Sequence, residues 1–271
     1  TFEYSVLFDE EPTHQGFVLI ESNWATGTFA NEAGISLVFS PEDRTDTLDL
    51  TTKGRWKGFV AVVRLGMEHI WEGVDHILFL IALLLPAVMK REDGQWKPVD
   101  SFGTALVNLV KIVTAFTVAH SVTLSLAALG HVSLPSRLVE VIIALSIAIA
   151  AFDILKPIFH SKVWLVVLGF GLFHGFGFAG ALSEMGVFGE YVWLPLLAFI
   201  LGVEIGLVVI VAIVFPILYL LRRFVLYPKL FMPAGALFLI AVSLAWVTER
   251  SLDIDLPIGE LPVVIFERLA S

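Results

Sequence analysis

Glu68, His69, Glu72, Asp75 and His76 fall within nine residues of one apolar stretch, and His120, Glu140, Asp153, His174 and Glu204 are spread over four others. Imidazole and carboxylate are proton carriers and ligands for divalent metals. At bilayer depth an ionisable side chain costs roughly 2.5–3.5 kcal/mol on insertion scales, so each such residue is read as functional unless a partner explains it. The chain contains no cysteine, which excludes disulfides and thiolate ligands and leaves imidazole and carboxylate as the metal-binding chemistry.

The elements that must position these groups are membrane helices. Of 271 residues 57% are hydrophobic and only 16% charged, and the apolar residues are gathered into long runs. A spanning helix needs about 20 mostly apolar residues, because its backbone must be satisfied without water. Six segments qualify, near 60–88, 104–129, 136–157, 162–183, 192–221 and 230–248, so the expected fold is mainly α: a polytopic bundle of about six spanning helices.

Residues 1–58 carry ten acidic and four basic side chains. Their runs Phe2–Phe8, Phe17–Glu21, Ile35–Phe39 and Thr47–Thr51, separated by Gly, Pro and Asn, read as a small β domain. The expected organisation is therefore a β domain over 1–58, a transmembrane domain over 59–248 and a tail over 249–271. Lys90, Arg91 and Lys97, then Lys156 and Lys162, then Arg222, Arg223 and Lys229 make alternate loops basic. By the positive-inside tendency those loops face the cytoplasm and both chain ends lie outside, although Lys53, Arg55, Lys57 and Arg64 crowd the outer end of the first helix. A chain that opens in a strand with its N-terminus outside is expected to have had a signal sequence that was removed or lies beyond this sequence. The implied location is a bacterial inner membrane.

With this topology, His76 lies roughly 15 Å below the outer surface and His120 and His174 each roughly 13 Å, at 1.5 Å of rise per residue. Three histidines on three helices thus share one level. Glu140 is shallower, Glu204 deeper, and Asp153 belongs near the inner face. On a continuous first helix His69, Glu72 and His76 share a stripe, but His69 and His76 stand about 10 Å apart and could hold one ion together only if the helix were broken. The expected inner shell is His76, His120 and His174, with Asp75 as a further ligand or as the partner that orients a histidine. His69, Glu72 and Glu140 are assigned to an outer or second site, and Glu204 and Ser121 to a pathway. No Lys or Arg shares the layer, so a divalent cation is the simplest neutraliser; a proton relay is the alternative. Gly169, Gly171, Gly175, Gly177 and Gly180 strip the fourth helix of side chains and predict close packing around His174.

The run His69-Ile-Trp-Glu-Gly-Val-Asp75-His76, followed by Phe116-Thr-Val-Ala-His120-Ser121, Val139-Glu140 and Phe173-His174-Gly175, resembles the HupE/UreJ family. That resemblance implies a secondary permease for nickel or cobalt, with His69, Asp75, His76, Glu140 and His174 handling the metal. In the nickel-permease branch the fourth-helix motif continues with a second His and a Glu. This chain has Phe178 and Ala181 there, and with its external N-terminal domain it looks like a second branch.

Two functions fit one such site. One is a divalent-metal permease. The other is a zinc-dependent intramembrane hydrolase acting on a lipid or lipidated substrate, with Asp75 or Glu72 as general base. The expected partners are the bilayer, the metal ion and a protein bound through the β domain; nothing points to nucleic acid.

Overall fold

The computed structural model describes residues 2–3, 16–20, 34–39, 44–46, 55–159, 163–177, 193–254 and 256. They form β1 (Phe2–Glu3), β2 (Gly16–Ile20), β3 (Gly34–Phe39), β4 (Thr45–Asp46), α1 (Arg55–Glu72), α2 (Val74–Ala87), β5 (Met89–Glu92), β6 (Gln95–Pro98), α3 (Phe102–Ala128), α4 (Ser136–Leu155), α5 (Val163–His174), α6 (Trp193–Leu221), a π-helical turn at Tyr227–Phe231 and α7 (Met232–Leu252). The chain divides into two compact units, residues 1–66 with 181–202, and residues 67–180 with 203–271.

In the first unit β2 and β3 pair antiparallel, Phe17 opposite Val38, with an irregularity between Val18 and Leu19, and β1 pairs with β4. Most of the expected strands Phe2–Phe8 and Thr47–Thr51, the acidic loop of Glu184 and Glu190, and the tail beyond residue 256 lie outside the described residues.

Four helices, α3, α4, α6 and α7 with the turn before it, are each long and apolar enough to cross a bilayer, and α1 with α2 makes a fifth candidate as a bent pair. Their faces are inverted relative to a soluble protein. Val107, Val118, Val122, Ile213, Ile217 and Leu237 are about half exposed, which leaves an apolar surface that only lipid covers cheaply. The protein is therefore a membrane protein, mainly helical, with four to five candidate spans.

Two expected helices differ from the sequence reading. The first, read as continuous over 60–88, breaks at Gly73, where the axis turns by 68°. Gly73 takes φ −70° and ψ 86°, and its N–H gives the last bond of α1 to the His69 carbonyl at 3.0 Å. Asp75 then accepts from the His76 backbone N–H at 2.8 Å, which satisfies one of the open donors at the start of α2. The fourth, expected over 162–183, is α5 with 12 residues, about 18 Å of helix, too short to span by itself. It ends in a tight turn through Gly177, and the remainder of that segment lies outside the described residues.

Within the second unit α4 packs along α7, and α3 along α5. The latter contact depends on glycine. A Cβ on Gly171 would stand 2.6 Å from the Phe116 carbonyl oxygen, and one on Gly175 would collide with the His120 carbonyl and the Thr123 hydroxyl. β5 and β6 form a hairpin between α2 and α3, turned by Asp93 (φ 52°) and Gly94 (φ 76°), the Asp-Gly pairing that a two-residue hairpin turn favours. Arg91 and the Trp96 indole both donate to the Ile154 carbonyl, at 2.9 and 3.2 Å, closing the C-terminal end of α4.

Candidate metal centre

Breaking the helix at Gly73 brings its two halves' histidines together. His69 lies in the last turn of α1 and His76 in the first turn of α2, and their ring centroids are 4.8 Å apart instead of two helical turns. His120, from the middle of α3, lies 5.8 Å from His76 and 6.3 Å from His69. One ligand nitrogen from each of these three residues falls within 4.8 Å of the others, a spread that one ion can draw together. His174, the last residue of α5, lies beside them with its ring 5.3 Å from that of His76.

Hydrogen bonding fixes which nitrogens are available. His76 Nδ1 is 2.9 Å from Asp75 Oδ1; an ionised carboxylate only accepts, so Nδ1 carries the proton and Nε2 presents its lone pair. Nε2 of His76, both ring nitrogens of His120 and Nδ1 of His174 are buried with no hydrogen-bond partner. Each buried polar atom left this way costs roughly 1–3 kcal/mol, so four in one cluster is a large penalty for a structure without a ligand to relieve it. A divalent cation accepting imidazole lone pairs does so, and the donor set fits one: neutral imidazoles suit nickel, cobalt and zinc.

Next to the cluster lies an aromatic layer. Phe79 and Phe116 contact each other at 5.2 Å, and their rings lie 4.8 and 5.1 Å from His174. Phe170 joins Phe79 edge-on at 5.9 Å. Phe170 also lines a cavity of about 490 Å³ whose walls include Leu83, Ile112 and Val167 together with Lys90, Arg91, Asp100 and Asp153.

The remaining expected site residues stand elsewhere. Asp75 Oδ1 pairs with His76 Nδ1, and among the described residues Asp75 is not part of the three-histidine group. Glu72 is exposed, and Glu204 and Ser121 are half-buried; among the described residues neither acid joins the histidine group. Glu140, near the start of α4, accepts from Ser136 at 2.7 Å and lies 3.9 Å from Arg250 of α7. Arg137 likewise donates to the Arg250 carbonyl and pairs with Asp253, so the start of α4 and the end of α7 are tied at one end of the bundle. Ser146 of α4, 3.0 Å from His174, carried no signal in the sequence: it is a single hydroxyl in an apolar helix.

The HupE / UreJ protein family model matches residues 45–250, about three quarters of the chain. The chain belongs to the HupE/UreJ family. No curated protein and no solved structure matches it. The matched region holds every histidine of the cluster and the whole of α1 to α6, and the family is associated with nickel and cobalt transport. In this HupE/UreJ protein the conjunction of Gly73, Asp75 and His76 has a physical reason: the glycine lets the helix turn, and the aspartate both caps the new helix and aims the histidine.

Proposed function

We propose that this protein is a divalent transition-metal permease of the nickel/cobalt type, with His69, His76 and His120 as its intramembrane stopping point. The observation that carries this reading is the buried group of three imidazoles on a broken helix, in a chain of a family associated with metal transport. Asp75 holds the His76 proton on Nδ1 and leaves Nε2 for the ion. Neutral ligands suit transit, because a site with several bound carboxylates would hold a divalent ion too tightly to release it. His69 and Glu72 stand on the entry side, and the cavity beside the phenylalanines is the exit. Glu204 and Ser121 flank the path, and Glu140 braces α4 against α7 through Arg250. The reading sets the protein in a bacterial inner membrane with both termini outside, residues 1–58 forming a β domain that meets a protein partner, 59–248 the membrane domain and 249–271 an outer tail.

The test is uptake of nickel, cobalt and zinc by proteoliposomes. Accumulation above protein-free vesicles, lost in His76→Ala, supports the reading; no transport of any of the three sinks it.

A zinc-dependent intramembrane hydrolase is the second reading, favoured by one observation: three imidazoles are a ligand set that catalytic zinc uses with a water in the fourth position. Against it, Asp75 is already engaged by His76 and Glu72 is exposed, and among the described residues no carboxylate joins the histidine group as a base. Zinc-dependent cleavage of a lipid ester or amide by the purified protein would reverse this ranking.

A further inference from the structure

His174 stands at the edge of the three-histidine group, and its hydrogen bonding defines what it can offer. Its ring is completely buried, between Phe79 and Phe116 and 5.3 Å from His76, hardly farther than the 4.8 Å that separates His69 from His76. Nε2 lies 3.0 Å from the hydroxyl of Ser146, itself 1% exposed. That hydroxyl has one hydrogen, and it is 2.7 Å from the carbonyl oxygen of Ile143, one turn back on α4. Two oxygens at 2.7 Å with no hydrogen between them would set lone pair against lone pair, so the serine donates to Ile143, as buried helix serines commonly do. The serine oxygen can then only accept from His174. Nε2 therefore carries the proton, and the lone pair is on Nδ1, which is buried with no hydrogen-bond partner.

We infer that Ser146 is the positioning residue that makes His174 a fourth metal donor, through Nδ1, by locking the ring in its neutral Nε2–H form. This rests on the metal-binding reading above and adds a residue, a tautomer and a donor atom to it. Asp75 and Ser146 do the same task for two different histidines: each holds the proton on one ring nitrogen, so the other nitrogen is left deprotonated for the ion. Four imidazoles, from α1, α2, α3 and α5, then surround one divalent cation without a carboxylate. Glycine at position 175 lets α5 lie on the His120 backbone, which brings His174 to the edge of the three-histidine group.

The experiment uses the full-length protein in detergent, stripped with a chelator and titrated with Zn²⁺, together with nitrogen-15 NMR of histidine-labelled samples in which the His174 signals are assigned by their loss in His174→Gln. In the metal-free wild type, the two His174 nitrogens should show a protonated Nε2 and an unprotonated Nδ1, and Zn²⁺ should move the Nδ1 signal. Ser146→Ala should bind Zn²⁺ about 10–100-fold more weakly, the usual effect of losing such an outer partner, and give mixed tautomers; Ser146→Thr, which keeps the hydroxyl, should restore both. A merely structural serine would move neither the tautomer nor the metal-shifted atom. The inference is overturned if His174 is protonated on Nδ1, if Zn²⁺ leaves Nδ1 unmoved, or if Ser146→Ala binds like the wild type. Should Ser146→Ala fail to fold, the wild-type tautomer and shift decide alone. If the wild type itself binds no Zn²⁺, Ni²⁺ or Co²⁺, it is the metal-binding reading that has failed.

Discussion

Gly73→Ala is the smallest change that should dismantle the site while leaving the protein folded. A Cβ at this position would stand 2.6 Å from the His69 carbonyl oxygen and 2.8 Å from His76 Nδ1. Ordinary contact for a carbon is about 3.5 Å, so the methyl intrudes by about 0.9 and 0.7 Å. Either the His76 ring moves by that amount, or α1 and α2 straighten into one helix. Ligand nitrogens must lie within about 0.2 Å of their place around a metal, so the first response exceeds the tolerance more than threefold. The second separates His69 from His76 by about 10 Å of helical rise. Both remove an imidazole from the group. Losing an outer partner alone costs 10–100-fold in affinity, so a displaced ligand should cost about 100-fold or more, about 2.8 kcal/mol. Folding is affected less: overpacking costs roughly 1–3 kcal/mol, offset by about 1 kcal/mol from alanine's helix propensity. Isothermal titration of Zn²⁺ or Co²⁺ into purified wild type and variant, with thermal unfolding in parallel, measures the two effects separately. Unchanged affinity and stoichiometry in Gly73→Ala would refute the claim that the break builds the site.

Further outcomes follow from the same geometry. Gly175→Ala, one residue past α5, should be more damaging than Gly171→Ala, since its Cβ meets the His120 backbone carbonyl as well as the Thr123 hydroxyl, and the backbone cannot yield; unfolding should come earlier by an overpacking cost of roughly 1–3 kcal/mol, with weaker metal binding. The chain has no cysteine, so Asn108→Cys and Ala150→Cys, both lining the cavity beside the phenylalanines, should react with a membrane-impermeant thiol reagent from the cytoplasmic side only. Reaction from the outside would reverse the assignment of entry and exit. At the hairpin, hydrogen bonds from Lys90 and Lys97 hold the Glu92 carboxyl below its usual range, and hydrogen bonds to Asp100 and Glu92 raise Lys90 above its own. A lowered acid stabilises the fold above its unfolded-state pKa, and that contribution disappears as pH falls through the lowered value. Protection factors for amide exchange across Met89–Lys97, taken relative to the intrinsic rate at each pH, should therefore fall on acidification below about pH 4, and in Glu92→Gln the fall should be smaller.

Much of this was legible in the sequence because the membrane makes it so. Bilayer thickness gave the length of α3, α4 and α6 to within a few residues, and the cost of burying charge singled out His76, His120 and His174 before any fold was known. Reading depth from helix ends placed the histidines at one level but could not place them around an axis. That is why His69, assigned to an outer site on a straight helix, stands instead against His76. The cue was Gly73, a glycine inside a helical pattern and next to an aspartate that can cap a new helix. Asp93-Gly94 was a turn signal of the same kind, lost within a stretch read as a charged loop. Ser146 had no cue, since its role depends on the crossing of α4 and α5 and not on any local pattern.

The central claim is that the imidazoles of His69, His76 and His120 hold a divalent metal ion within the membrane. X-ray absorption at the metal edge, on purified protein loaded with one equivalent of Ni²⁺, Co²⁺ or Zn²⁺, tests it most directly. The account predicts stoichiometric metal with three to four imidazole nitrogens at about 2.0–2.1 Å for zinc, lost together in His76→Ala and His120→Ala. Stoichiometric metal retained in both variants, or bound without imidazole scattering, would contradict it.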